Sequence, residues 1–342
     1  MAAWFIPGKI LSIVIILVGA LWVLLFPQAD TDLLLPSTIL AWEKMGYYET
    51  IFNFDVFYRF TPCRGIKCPT YCLVHGFPSS SFDYADVVDQ LAGTGNVLVF
   101  DHVGFGFSDK PRDNFTYSIF EHADIAIKLL TKLKIIRFFL IAHDMGDSVV
   151  AEILARRFRG LLPVNFAENI LGVVFTNGGM QIALSNFRLS QTLLKSPLGH
   201  FLNKIIFLID PNNWFSHMQL RSVWNPQYQN VTKQNNDIQN MHAMLNYKGG
   251  RHILHRTIRY LHDRSDFEYR WNTALSTLDI PCLLLWGDSD SVAPLSIALA
   301  VNKLAPVCQV QVMPDAGHFV MLEKSDLWVK LIENFCRPYL NN

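Results

Sequence analysis

Three short segments hold side-chain types that together support nucleophilic catalysis. They are Asp144 in Ala142-His143-Asp144-Met145-Gly146, Asp290 in Gly287-Asp288-Ser289-Asp290, and His318 in Gly317-His318-Phe319. A carboxylate attacks carbon, an imidazole takes a proton from water, and a second carboxylate orients that imidazole. Asp144 stands where the apolar run Phe138-Phe139-Leu140-Ile141 stops and a helical pattern (Val149, Val150, Ile153, Leu154, Phe158) begins at once. A nucleophile flanked by small residues on such a strand-to-helix turn is presented on a sharp elbow, and Ala142 and Gly146 are the small residues here. The spacing Gly-x-x-Asp-x-x-x-Pro, from Gly287 to Pro294, selects Asp290 as the orienting acid, with Asp288 as runner-up. A single Gly-His or a single loop Asp is more often a turn former. The order nucleophile, acid, histidine, each after a strand, gives the set its meaning.

An aspartate at the elbow points to a particular chemistry. A serine attacking a saturated carbon would form an ether that activated water cannot cleave, whereas a carboxylate forms a hydrolysable ester. His318, oriented by Asp290, would activate the water that attacks the Asp144 carboxyl carbon. The resulting oxyanion needs donors, and the backbone N–H groups of Met145 and of Phe77, in His75-Gly76-Phe77, are placed to supply them. Alkyl transfer is therefore expected: epoxide opening or carbon–halogen cleavage. Asp147, in the first helical turn, is favoured there by the helix dipole. As a second negative charge it would also oppose ionisation of Asp144.

The elements that must position these groups alternate. Strand-like runs lie at Thr50 to Phe60, Tyr71 to Val74, Val97 to Phe100, Phe138 to Ala142, Ile170 to Thr176, Cys282 to Leu285 and Val310 to Met313. Helical patterns span Pro36 to Trp42 and Ser118 to Leu133, and begin again at Pro294 and Ser325. Short apolar strands alternating with helices imply a mostly parallel sheet covered on both faces. Residues 181–270 break the rhythm with helical pattern and many Asn, Gln, Trp and His, and read as a helical cap inserted between core residues 31–180 and 271–342. Opening an epoxide needs a proton donor to the ring oxygen. Tyr260 is the better placed cap tyrosine and Tyr228 the second, although either also suits helix packing or the cap rim.

Composition narrows the partners. The 342-residue chain is 51% hydrophobic and 13% aromatic with a formal net charge of zero, which suits a large buried core and argues against nucleic acid. The block Ile10 to Phe26 is 17 residues without a charge. It is near the lower length limit for spanning a bilayer. A cleaved signal peptide is the alternative, but Pro27-Gln28-Ala29 makes a poor cleavage site. Residues 1–30 are thus expected to be a membrane anchor, and Lys9 before the block with Asp30 and Asp32 after it puts the catalytic bulk in a lumen. Sequons at Asn114 and Asn230 agree with that side. Cys63 and Cys68 flank a short turn and would either pair in an oxidising lumen or remain free thiols. His252, His255 and His262 sit among Arg251, Arg256, Arg259 and Arg264, so a solvated basic helix face is expected there instead of a metal site.

The motifs His75-Gly76-Phe77-Pro78, Asp101-x-x-Gly104-Phe105-Gly106-x-Ser108-Asp109-Lys110-Pro111 and His143-Asp144-x-Gly146 resemble the epoxide hydrolase and haloalkane dehalogenase branch of the α/β-hydrolases. Within it the chain is similar to the mesoderm-specific transcript family. That family carries the N-terminal apolar segment, the Tyr117-Ser118-Ile119-Phe120-Glu121 run, His143-Asp144-x-Gly146-Asp147 and the Asn177-Gly178-Gly179 strand end. The resemblance covers nearly the whole chain and weakens in the cap. It implies an α/β-hydrolase fold with a helical cap and an N-terminal transmembrane helix, and an endoplasmic reticulum membrane location; from the residues, no cofactor or metal is expected. Met145 departs from the Trp that both families often place after the nucleophile. An epoxide-hydrolase-like enzyme acting on a lipophilic substrate is the leading expectation. A catalytically weak relative acting as a binding or scaffold protein, a dehalogenase and an esterase are the alternatives.

Overall fold

Cys308–Met313, the edge strand before His318, is buried only at its two ends, but the other strands that precede candidate residues, Thr70–Val74, Phe138–His143 and Cys282–Gly287, are largely apolar runs with every residue buried. Strands covered on both faces must read this way. The computed structural model describes residues 18–19 and 35–340, apart from 66–67, 164 and 211–213. Its strands are β1 (Tyr47–Ile51), β2 (Phe54–Thr61), β3 (Thr70–Val74), β4 (Asn96–Phe100), β5 (Phe138–His143), β6 (Ile170–Thr176), β7 (Cys282–Gly287) and β8 (Cys308–Met313). They form one sheet in the order β1-β2-β4-β3-β5-β6-β7-β8. Only the β1–β2 and β2–β4 pairings are antiparallel.

Helices α1 (Ser37–Lys44), α2 (Ala85–Leu91), α3 (Ile119–Lys132) and α4 (Met145–Phe158) interleave with the first six strands. Between β6 and β7 come α5 (Leu189–Lys195), α6 (Gly199–Ile209), α7 (Trp214–Arg221), α8 (Val231–Asn246), α9 (Leu254–Thr257) and α10 (Tyr260–Ser276). Then follow α11 (Leu295–Leu304), α12 (Val320–Glu323) and α13 (Ser325–Cys336). Successive strand side chains point to opposite faces. On β3, Cys72 and Val74 join the apolar cluster under α3, α4 and α10, while Tyr71 and Leu73 join the cluster under α1, α2 and α13.

Several expectations need correction. The run from Thr50 to Phe60 is a hairpin, β1 and β2, not one strand. Phe52 and Asn53 both take left-handed φ values (48° and 69°), as a two-residue hairpin turn requires. A phenylalanine there conceals the turn, because Gly or Asn is the usual signal. The three histidines do not share a solvated helix face. His252 lies in a short 3-10 segment, His255 in α9 and His262 in α10. All three are half-buried, His255 pairing with His200 at 3.0 Å and His262 with the Lys195 carbonyl at 3.1 Å. The anchor expected at residues 1–30 lies outside the described residues, apart from Val18 and Gly19. Among the described residues no helix is long and apolar enough to cross a membrane.

Cys63 and Cys68 are disulfide-bonded. A second disulfide, Cys282–Cys308, joins register partners on the adjacent strands β7 and β8. The loops that leave these two strands carry Asp290 and His318.

Candidate active site

Asp144 occupies the turn between β5 and α4 with φ 50° and ψ −110°. That conformation is costly for any residue with a side chain, and it persists only where the surroundings enforce it. Two close approaches do so here. A Cβ on Gly76 would stand 2.5 Å from Cβ of Asp144, and one on Gly146 would stand 2.4 Å from the Val74 carbonyl oxygen. Alanine at either position would therefore push the β3 loop away from the elbow.

The two oxygens of Asp144 have different surroundings. Oδ1 accepts the Phe77 N–H at 3.0 Å. Oδ2 faces Nε2 of His318 at 3.9 Å and Nη1 of Arg264 at 4.0 Å. The Phe77 loop is tied down by His75, whose Nε2 accepts the His102 N–H at 3.0 Å and whose Nδ1 therefore donates to the Gly76 carbonyl at 2.9 Å. Burial lowers the His75 pKa and keeps that ring neutral. Met145 is fully buried and opens α4, where the first N–H groups of a helix have no intrahelical acceptor.

His318 Nδ1 pairs with Asp290 Oδ2 at 2.8 Å. Burial works against the charged ring, but the Asp290 carboxylate, its hydrogen bond and the Asp144 charge outweigh it and raise the His318 pKa. Asp290 is buried too, yet His318, Asn177 and the Ala293 N–H hold its carboxyl below the ordinary range. Asp288, the alternative acid, is exposed and accepts from the adjacent Ser289 hydroxyl at 2.9 Å. The histidine loop is fixed on three sides. The His143 ring meets the His318 carbonyl at 3.0 Å, the His318 N–H donates to Val223 at 2.9 Å, and Glu323 accepts from Gly317 at 2.9 Å.

A cavity of about 130 Å³ opens above Asp144 and His318, walled by Phe77, Leu194, Ile206, Phe215 and Leu220. Tyr260 is completely buried with its ring centroid 5.5 Å from that of Phe77, and its hydroxyl accepts from Gln191, a cavity residue, at 3.3 Å. Burial and then Asp144 raise the Tyr260 pKa, so the phenol keeps its proton. Neither Tyr260 nor Tyr228 lines this cavity; Tyr260 meets it through Gln191, whereas Tyr228 lies near Lys233, Asp237 and Glu323. Asn114 and Asn230 are exposed, and Asn230 caps α8 by accepting the Lys233 N–H at 3.0 Å. Among the described residues no group of His, Cys, Asp and Glu could hold a metal ion.

A family model described as alpha/beta hydrolase fold matches residues 69–325. The human mesoderm-specific transcript homolog protein is 30% identical over 295 residues, covering 84% of this chain and 85% of its own length. The chain belongs to the α/β-hydrolase family, together with the mesoderm-specific transcript proteins. A putative hydrolase of Mycobacterium tuberculosis (strain CDC 1551 / Oshkosh), LipZ, is 31% identical over 296 residues, 84% of this chain and 93% of LipZ. The haloalkane dehalogenase DbeA-M1 loop variant from Bradyrhizobium elkanii has a similar structure, with a TM-score of 0.66 at 18% identity over 86% of this chain and 96% of its own. At that identity the likeness speaks for the fold alone.

Two further residues of this α/β-hydrolase, neither assigned from the sequence, contact the candidate residues. Asn177, at the end of β6 with φ 50°, donates to Asp290 Oδ2 at 2.8 Å and accepts the Gly287 N–H at 3.1 Å. The Asn-Gly-Gly strand end was the available signal. Arg264 was grouped with a basic helix face but is only 4% exposed. It donates to the Asp144 carbonyl at 2.6 Å and the Ser148 hydroxyl at 2.8 Å. Nothing in the local sequence separates it from its exposed neighbours. Asp147 also differs from expectation. Complete burial raises its pKa well above the ordinary carboxyl range, which disfavours a second charge beside Asp144.

Proposed function

We propose that this hydrolase opens epoxides of lipophilic substrates through an alkyl ester on Asp144. The observation that carries this reading is the Phe77 N–H donating to Asp144 Oδ1 itself. In a serine hydrolase such donors receive the substrate carbonyl. Here the nucleophile's own oxygen takes that place, so the tetrahedral intermediate belongs on the Asp144 carboxyl carbon.

In the proposed sequence, Oδ2 attacks a ring carbon as the carbon–oxygen bond of the epoxide breaks. The departing alkoxide takes the proton of the Tyr260 phenol, directly or relayed beside Gln191. His318 Nε2 then removes a proton from water, and the hydroxide adds to Cγ of Asp144. Negative charge gathers on Oδ1, opposite the Phe77 N–H and the first turn of α4. Collapse breaks the ester and releases a diol, and the His318 proton returns to the Tyr260 oxygen. A dehalogenase reading is less favoured, because Met145 lacks the indole N–H that would hold a halide after the nucleophile.

The anchor at Ile10 to Phe26, a location in the endoplasmic reticulum membrane and a lumenal catalytic part belong to the same proposal. Two disulfides support the lumenal side, because cytosolic thiols are kept reduced. Exposed sequons at Asn114 and Asn230 are consistent with it.

The test is to incubate the purified chain with a panel of lipophilic epoxides, digest it and weigh the peptide containing Asp144, using His318→Gln to trap the ester. An adduct of the epoxide's full mass on Asp144 is expected. A folded protein with neither adduct nor turnover across the panel would favour the binding-protein reading. For topology, a glycan on Asn114 that glycosidase removes once the microsomes are solubilised is expected, and an unmodified domain that is protease-accessible on intact microsomes would refute the lumenal placement.

A further inference from the structure

Two cap segments each turn one set of side chains inward and another outward. In residues 187–191, Arg188, Ser190 and Gln191 line the cavity above Asp144, while Phe187 and Leu189 are 38% and 64% exposed. On α7, Phe215, Ser216 and Gln219 line it, while Trp214 and Met218 are 68% and 50% exposed. The two segments form one wall. The Ser190 hydroxyl donates to the Gln219 side chain, and the Arg188 guanidinium donates to the Ser222 carbonyl at 3.1 Å. The wall is one side chain thick, apolar on its outer face, and open to the candidate nucleophile on its inner one.

Its surroundings suit a lipid surface. Between residues 180 and 236 the only acidic residue is Asp210, which is buried, whereas Lys195, Lys204 and Arg221 fall in the same stretch, Arg188 facing the cavity and Lys233 being paired with Asp86 and Asp237. Basic side chains beside exposed Trp and Met are suited to phosphate headgroups over an apolar layer. The described chain also begins next to this part of the cap. Leu35 packs on the cluster that contains Met241 and Met244 of α8, and Thr38 lines a small cavity with the same two methionines. Helix α8 meets α7 through the stacked His242 and His217 rings, 6.1 Å between centroids. Eight residues, 27–34, separate the end of the apolar block Ile10 to Phe26 from Leu35. A linker of that length reaches at most about 30 Å. If that block is the proposed anchor, a tether of this length would hold the α7–α8 side of the cap near the membrane plane.

We infer that the outer face of this wall, Phe187, Leu189, Trp214 and Met218, docks on a lipid bilayer, and that lipophilic substrate enters the cavity through it from the bilayer. The inference rests on the membrane-anchored reading given above. It goes beyond that reading by assigning the face that meets lipid and the route to Asp144.

The experiment uses the full chain in phosphatidylcholine vesicles with a nitroxide attached at Met218→Cys, and at Ile136→Cys as control. Ile136 is 65% exposed and precedes β5, at the opposite end of that strand from Asp144. The free thiols Cys72 and Cys336 are buried. The Met218 label is expected to be more accessible to lipid-dissolved oxygen than to an aqueous nickel chelate, and the Ile136 label the reverse. A Met218 label as open to the chelate as the control overturns the inference. So does one shielded from both reagents, because the chain's own N-terminal segment or a second copy would then cover the wall. This readout needs no turnover, so failure of the epoxide chemistry and failure of the docking face remain distinguishable. As a second measurement, Trp214→Glu with Met218→Glu is expected to raise KM about tenfold for a long-chain epoxide dissolved in the vesicles, since two apolar contacts with lipid are lost. KM for a short water-soluble epoxide is expected to stay unchanged, and equal effects on both substrates would also overturn the route.

Discussion

Nε2 of His318 stands 3.9 Å from Oδ2 of Asp144, too far for a hydrogen bond. A base that activates its own nucleophile needs a short contact to it. A carboxylate needs no such activation, and the separation suits a histidine that works on water in the second half of the reaction. Turnover should therefore require neutral His318. Its pKa is raised, by Asp290 above all, so the neutral form is lost already on falling below a pH higher than the ordinary value for histidine. Steady-state rate is expected to fall on the acid side with a midpoint above about 6.5, while the alkylation burst persists and ester accumulates on Asp144. Rapid-quench mass measurement across the pH range checks this. A burst that disappears together with turnover would contradict the assignment of His318 to the hydrolytic half.

Asn177 and Asp290 are joined at 2.8 Å, and that donor helps to keep Asp290 ionised. Replacing Asn177 by Ala should lower kcat by about tenfold or more, the cost of one lost hydrogen bond to a charged group. It should also move the acid limb of the pH profile to higher pH, because a more basic Asp290 holds the His318 proton more strongly. A purely structural role would lower activity without moving the limb.

Tyr260→Phe removes the proposed proton donor without removing the ring that packs on Phe77. Alkylation by an epoxide is expected to slow by about a hundredfold, in the usual range for general acid catalysis. Hydrolysis of a preformed Asp144 ester should be unaffected. Single-turnover kinetics separates the two steps, and equal slowing of both would remove Tyr260 from the donor role.

Asp147 is a buried acid whose folded pKa lies well above its unfolded value. The folded state then binds a proton that the unfolded state has released, so stability falls as pH rises from about 4 toward the folded pKa. Asp147→Asn should accordingly be near neutral in effect at about pH 4 and stabilise the protein at pH 7. Thermal melts at the two pH values test the sign. Activity should survive the change, in contrast to Asp144→Asn.

The Cys282–Cys308 bridge closes a 26-residue separation across β7 and β8. Converting both cysteines to Ala should cost about 3 kcal/mol in urea unfolding. In the unreduced, unfolded chain only Cys72 and Cys336 should react with a thiol reagent. Six reactive thiols would argue against the oxidising compartment.

The elbow, the order Asp144, Asp290, His318 and the Phe77 loop were all legible in the sequence. Each lies at or within a few residues of a strand's end, so the local strand-to-loop pattern points to it. The β/α alternation and its helical interruption were legible for the same reason. The tertiary structure decided what local pattern cannot carry. Asn177 reaches Asp290 across 113 positions of sequence and Arg264 reaches the Asp144 backbone across 120, and no spacing rule links such pairs. Whether Asp147 carries charge depends on complete burial. The turn at Phe52 depends on backbone dihedrals that its side chain does not advertise. The residue type at the elbow is a property of one position and its immediate neighbours. Its ionic surroundings, its second oxygen's freedom and the wall above it arise only when distant segments pack, because burial and long-range hydrogen bonds do not exist in the chain before it folds.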